Sequence, residues 1–230
     1  MRQIITWLRD KISKMRWSGL IIPVVVLLLC SFFISLTEEM VYEQESKFDL
    51  YAYEAVSSIH SPALTEIMKV ITFFGARVFL LPAYAIIAAY FLFYKKNTLL
   101  SISIVSVALC GAGVLFLSKN VFKRERPLEP LIDKSETFSY PSGHSFSAFT
   151  FAGIILFIIW SGHITVKWKW FWTIFLIMFA ATIAFSRVYL NIHFASDVIA
   201  GLCLSLIWLS MCYFLVKKLK LVKSKANNNG

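Results

Sequence analysis

YPSGHSFSAFTFAGIILFIIW, residues 140–160, runs from a Pro-Ser-Gly-His turn straight into an apolar stretch. No Asp, Glu, Lys or Arg occurs between Glu136 and Lys167. The whole chain is 58% hydrophobic and only 16% charged, with mean hydropathy +0.70. A soluble domain carries closer to a quarter charged residues.

The same pattern recurs along the chain. Uncharged apolar blocks cover Trp17–Thr37, Val78–Tyr94, Leu99–Ser118, Phe146–Trp160, Trp170–Ser186 and Val198–Val216. A bilayer core about 30 Å thick needs roughly 20 helical residues. The fourth block reaches that length when its uncharged flanks, from Ser142 to Ile164, are included. The expectation is an all-α polytopic membrane protein with six transmembrane helices, forming one domain over residues 17–216. Residues 1–16 set Ile4, Ile5, Leu8, Ile12 and Met15 at helical spacing among basic residues, which predicts a cytoplasmic interfacial helix. Residues 217–230 read as a basic, disordered cytoplasmic tail.

The net charge of +10 follows this layout. Arg2, Arg9, Lys11, Lys14 and Arg16 precede the first block, and Lys95 and Lys96 follow the second. Lys167 and Lys169 precede the fifth, and Lys217, Lys218, Lys220, Lys223 and Lys225 follow the sixth. In a six-pass chain these positions share one side, and the first connecting segment is acidic instead. The positive-inside rule puts both termini in the cytoplasm of a cell-membrane protein. The charge is topological, so no nucleic-acid partner is expected. No small-x-small cleavage site follows the first block, which is expected to be retained. Cys30, Cys110, Cys203 and Cys212 all fall in apolar blocks and read as small buried hydrophobes, with no metal spacing or disulfide framework.

Residues 38–69 suggest one or two short outer helices, with Pro62 favourable at a helix start. Two later outward segments break the charge trend. The first, about 119–140, carries Lys119, Lys123, Arg124, Arg126 and Lys134. The second contains SRVYLNIHFASD, residues 186–197. Ionisable residues at helix ends on the translocated side are functional suspects.

Three clusters stand out. Lys119 and Arg126 are seven residues apart and share a face if the third helix continues outward; snorkelling at a helix end is the plain alternative. Ser142 and Gly143 open an apolar helix whose free N–H groups suit an anion, and Ser142 either caps that helix or offers its hydroxyl to the same anion. His144 follows at once. Ser186 and Arg187 end the fifth helix, and His193 and Asp197, four apart, are neighbours at the start of the sixth. A carboxylate beside an imidazole sets its tautomer. A polar pair closing a helix end is the plain alternative there. Gathering so many cations is costly unless an anion joins them, and a phosphoryl group fits.

Together, Lys119-x6-Arg126-Pro127, Pro141-Ser142-Gly143-His144 and Ser186-Arg187-x5-His193-x3-Asp197 resemble the three signature motifs of the type 2 phosphatidic acid phosphatase (PAP2) superfamily. The resemblance implies the helical core fold shared with haloperoxidases and a metal-independent phosphatase without cofactors. It implies catalytic roles for His193 as nucleophile, Asp197 as its partner and His144 as acid and base. It further implies phosphate binding by Lys119, Arg126, Ser142, Gly143 and Arg187. The implied substrates are lipid phosphates or pyrophosphates at the outer leaflet, undecaprenyl pyrophosphate before phosphatidylglycerol phosphate. The bilayer and this lipid are the only partners expected, with no obligate protein partner. A lipid phosphotransferase using the same phosphohistidine is the nearer rival. A transporter would carry its polar residues near the bilayer midplane instead.

Overall fold

A computed structural model describes residues 18–43, 46–133 and 137–228, with side chains described over 23–39, 46–133 and 137–216; the expected interfacial helix over 1–16 lies outside them. Ordered along the chain are α1 (Ser18–Glu43), α2 (Lys47–Ser57), α3 (Pro62–Phe73), α4 (Arg77–Ala89), α5 (Thr98–Phe122), α6 (Gly143–Ser161), α7 (Val166–Tyr189) and α8 (Ala195–Asn228). A π-turn, Tyr90–Tyr94, ends α4. The all-helical expectation holds among the described residues.

Five stretches are long and apolar enough to cross a membrane: Pro62–Tyr94, Thr98–Phe122, Gly143–Ser161, Val166–Tyr189 and Ala195–Val216. The protein is therefore a multi-pass membrane protein. The first of these begins earlier than the block from Val78, because α3 leads into α4 through the turn Phe74-Gly75-Ala76. The remaining block, Trp17–Thr37, lies largely on α1.

Local chemistry explains the outer segment. Ser46 and Ser61 cap α2 and α3, accepting hydrogen bonds from the N–H groups of Asp49 (3.2 Å) and Leu64 (3.3 Å). Pro62 stands at the first helical position of α3, where its missing donor costs nothing.

α6 is the centre of the bundle, in contact with α5, α7 and α8. Ala148 and Ala152 on α6 meet Ala180 and Ile183 on α7 in one buried cluster. Small side chains let helix backbones approach closely, the usual way helices associate in lipid. Between α6 and α8 the approach is tighter. A Cβ on Gly201 would lie 2.7 Å from the Ser142 carbonyl oxygen, so only glycine fits.

The up-and-down order brings the end of α5, the start of α6, the end of α7 and the start of α8 to one end of the bundle. That end holds the fully buried Ser139, Ser142, Ser145, Ser186, Ser196 and Asp197. An apolar cavity of about 610 Å³ lies toward the opposite end, where Asn97, Trp160 and Tyr213 line it.

Candidate active site

α5 does not carry Arg126. It stops at Phe122, and Lys123 takes the left-handed conformation (φ 48°) with its N–H donated to the Lys119 carbonyl at 3.0 Å. Lys119 thus sits in the last turn, while Arg126 follows in an extended segment that bends back over the site. The expected shared helical face is replaced by a loop, yet both side chains converge. Lys119 Nζ donates to the carbonyls of Phe138 and of Ser139 (3.1 Å). Arg126 donates from Nε to the Thr137 carbonyl (2.7 Å) and from Nη1 to the Ile192 carbonyl (2.9 Å). Burial holds the proton affinity of its guanidinium below the usual value, an effect Asp197 partly offsets.

His193 lies in the tight turn before α8 rather than on it, and Asp197 occupies the first helical turn. They meet nonetheless, with Nδ1 3.3 Å from Asp197 Oδ2. Ser139 Oγ donates to the same oxygen and lies 3.1 Å from Nδ1. A carboxylate only accepts, and the Ser139 proton is already given away, so the ring proton belongs on Nδ1. Nε2 is then left with its lone pair, and Arg126 Nη1 points at it from 3.3 Å. Burial first, then the charges of Arg126, Arg187 and Lys119, push the His193 pKa well below the usual imidazole value. His193 is a neutral imidazole with an available ring nitrogen.

Ser142 begins α6 without capping it by its side chain, so the capping reading of that residue does not hold. Its hydroxyl accepts instead from Ser145 Oγ at 3.2 Å, and its N–H donates to the Asp197 carbonyl at 2.9 Å. The latter bond ties the PSGH turn to α8. Gly143 opens α6, where the N–H has no partner within the helix; a Cβ there would come 3.8 Å from Lys119 Cε. His144 follows on the first turn, with Arg187, Arg126 and Lys119 as its charged neighbours and His193 beside it. Its ring rests against the α3–α4 turn: a Cβ on Gly75 would lie 3.1 Å from His144 Cδ2.

Arg187 is buried at the end of α7. Nη1 donates to Thr72 Oγ1 on α3 at 2.6 Å, while its buried Nε has no protein partner. A buried donor on a cation, unpaired within the protein, suits an anionic oxygen as its acceptor. All eight residues singled out in the sequence thus meet at one end of the bundle.

Sequence reasoning missed four participants. Ser139 bridges His193 and Asp197, and Thr72 steadies Arg187. Arg124 and Asp49 form a buried ion pair at 2.8 Å, and Arg124 also reaches Asp197 Oδ1 at 2.8 Å. Asp49 had been grouped with the acidic outer segment. Among these residues the basic side chains Lys119, Arg124, Arg126 and Arg187 outnumber the carboxylates of Asp49 and Asp197. Such an excess, buried beside a neutral histidine, favours a multiply charged tetrahedral anion.

A helical membrane bundle with this site at one end is a membrane enzyme built to handle phosphoryl groups. The chain belongs to the PAP2 superfamily: the model of that superfamily matches residues 98–221. It is 36% identical over 175 residues to phosphatidylglycerophosphatase B of Bacillus subtilis, covering 72% of this chain and 82% of the relative. It is 28% identical over 168 residues to an undecaprenyl-diphosphatase of Sulfolobus acidocaldarius, covering 69% of this chain and 74% of the relative. The crystal structure of the PAP2-type phosphatidylglycerolphosphate phosphatase from Bacillus subtilis superposes with a TM-score of 0.75 at 30% identity. That match covers 84% of this chain and 96% of the other. The protein is a PAP2 membrane phosphatase.

Proposed function

We propose that this enzyme removes phosphate from lipid phosphates or pyrophosphates at the outer leaflet through a phosphohistidine on His193. One observation carries the reading: His193 Nδ1 lies 3.3 Å from Asp197 Oδ2, the partner that places the ring proton there, while Nε2 faces Arg126 Nη1 at 3.3 Å.

In the first step, Nε2 attacks phosphorus as the bond to the leaving oxygen breaks, and His144 gives that oxygen its proton. Asp197 offsets the positive charge that develops on the ring. In the second, His144 takes a proton from water, whose oxygen attacks phosphorus. The P–N bond breaks and inorganic phosphate leaves. Lys119, Arg126, Arg187, the Ser142 hydroxyl and the Gly143 N–H hold the phosphoryl oxygens throughout. Arg126 must swing from Nε2 to a phosphoryl oxygen as substrate enters.

In this reading α1 is a sixth span, both termini are cytoplasmic and the site faces outward. The bundle end away from the site supports that orientation. It gathers Lys95, Lys96, Lys167 and Lys169 with Trp160, Trp168, Trp170 and Tyr213, an aromatic and basic belt of the inner interface. The substrate is undecaprenyl pyrophosphate first and phosphatidylglycerol phosphate second. The two relatives described above carry names of both kinds.

The test is purified enzyme given polyprenyl pyrophosphate, phosphatidylglycerol phosphate, phosphatidic acid and diacylglycerol pyrophosphate, with kcat/KM of phosphate release compared. Release from at least one is expected, fastest from the polyprenyl pyrophosphate. A phosphorylated lipid acceptor formed without free phosphate would make the enzyme a phosphotransferase.

A further inference from the structure

Arg124 lies two residues before Arg126 but turns away from the pocket. Its side chain is 4% exposed, and its guanidinium rests 4.0 Å over the Phe194 ring. From Nη1 it donates to Asp197 Oδ1 and Ser196 Oγ, each at 2.8 Å, and from Nη2 to Asp49 Oδ2 at 2.8 Å. Asp49 also caps α8 from a distance, accepting from Ser196 N (2.9 Å) and Ser196 Oγ (2.7 Å). Both oxygens of Asp197 are therefore engaged. Oδ1 is held by Arg124, while Oδ2 receives Ser139, the Phe194 N–H (3.0 Å) and His193 Nδ1.

Resting on the phosphatase reading, we propose that Arg124, anchored by Asp49, is a positioning residue: it holds Asp197 by one oxygen so that the other keeps the His193 ring turned for attack. A carboxylate rotates about its Cβ–Cγ bond unless both oxygens are fixed. The planar guanidinium spans two carboxylates at once, and a lysine ammonium on a flexible stem does not match that fork. The clamp reaches from α2, 75 residues upstream of Arg124, and so ties the outer segment to the nucleophile.

The clamp and a mere structural staple between α2 and α8 differ in their kinetics. Arg124 touches no substrate, so its loss should lower kcat and leave KM and vanadate inhibition in place. It should also move the pH profile. His193 faces Arg126, Arg187, Lys119, Asp197 and the neighbouring His144. Removing Arg124 leaves the Asp197 charge less compensated, which raises the proton affinity of His193 and shifts the acid limb to higher pH.

Arg124→Gln, Arg124→Lys and Asp49→Asn, made in the full chain and purified in detergent, test this against the parent. For both Arg124 variants kcat should fall about 10- to 100-fold, by analogy with the loss seen when outer partners that orient a metal-ligating histidine are removed. Vanadate inhibition should stay within about twofold, as for a residue acting only on the chemical step. Arg124→Gln should raise the pH of the acid limb, and Asp49→Asn should give the same kcat effect more weakly. A kcat near the parent's in Arg124→Gln overturns the proposal. So does a loss of vanadate binding in step with kcat at an unmoved acid limb. If Arg124→Gln does not fold, Arg124→Lys decides by kcat against vanadate inhibition, and Asp49→Asn decides if neither folds. A parent that releases phosphate from no lipid sinks the phosphatase reading instead.

Discussion

Arg126 Nη1 and Asp197 Oδ2 stand at the two nitrogens of one ring, each 3.3 Å from His193, the first at Nε2 and the second at Nδ1. The carboxylate fixes the tautomer, and in the proposed mechanism phosphorus arrives where the guanidinium now stands. A cation placed against a lone pair also keeps that nitrogen from being protonated before substrate enters.

His193→Ala should therefore end phosphate release, with the variant still folded in detergent. Alkaline quenching of the parent during turnover, which preserves the acid-labile P–N bond, should trap a phosphohistidine that His193→Ala lacks. His144→Gln should be slower by about 10²–10⁴, the usual reach of acid–base help. Full turnover by His193→Ala would remove it from the mechanism.

The pH profile follows from the same ring. An ordinary imidazole titrates near 6.5, and His193 is held well below that value by burial and by Arg126, Arg187 and Lys119. The acid limb of kcat/KM assigned to His193 should therefore lie below about pH 6.5. Stability carries the matching sign. Below about 6.5 the unfolded histidine takes up a proton that the folded one refuses, so this contribution is complete above that pH. It declines as pH falls from about 6.5 toward the lower folded value. Thermal unfolding in detergent across that window should report the decline, and an acid limb above 6.5 would contradict the assignment.

Vanadate, a phosphate mimic, should inhibit, and the buried Nε of Arg187 gives it a donor not engaged by the protein. Arg187→Lys removes that planar fork and should weaken vanadate inhibition about tenfold or more, since a point charge replaces a bidentate one. Thr72→Val, which deletes the 2.6 Å anchor of Arg187, should produce a smaller loss in the same direction. Equal inhibition of parent and Arg187→Lys would place the anion elsewhere. EDTA should leave turnover intact, because Lys119, Arg126 and Arg187 supply the fixed charge that Mg²⁺ supplies elsewhere; a strict Mg²⁺ requirement would count against that assignment.

The bundle was legible because long uncharged blocks admit few interpretations, and the three clusters because their spacing is short range. His193 and Asp197 meet across four residues whether or not His193 is helical. The clamp was not legible. Asp49 and Arg124 join only through tertiary packing: Asp49 lies in an acidic segment that reads as topological, and no spacing separates Arg124 from the other cations of its own segment. The left-handed turn at Lys123 was equally hidden, since no glycine marks it. Without that turn Arg126 was expected on the α5 face, and the loop that carries it to His193 Nε2 could not be foreseen. Ser139 and Thr72 were missed for a simpler reason: neither charge nor periodicity singles out a lone hydroxyl.

Gly75 gives the most specific packing test of His144. It lies in the α3–α4 turn, where an added Cβ would come 2.6 Å from Ile183 Cγ2 and 3.1 Å from His144 Cδ2. Real Cβ atoms do not tolerate the first contact, so either the turn shifts or Ile183 moves toward α6. In both cases the ring of His144 loses its rest, and a displacement of about 1 Å at a reacting group costs on the order of 10²-fold. Gly75→Ala should thus lower kcat by about 10- to 100-fold. The accompanying loss of stability should stay within the 1–3 kcal/mol range usual for overpacking. His193 is untouched, so alkaline quenching should still detect the phosphohistidine, formed more slowly. Unchanged kcat in a folded Gly75→Ala would show that His144 does not depend on this contact for its position.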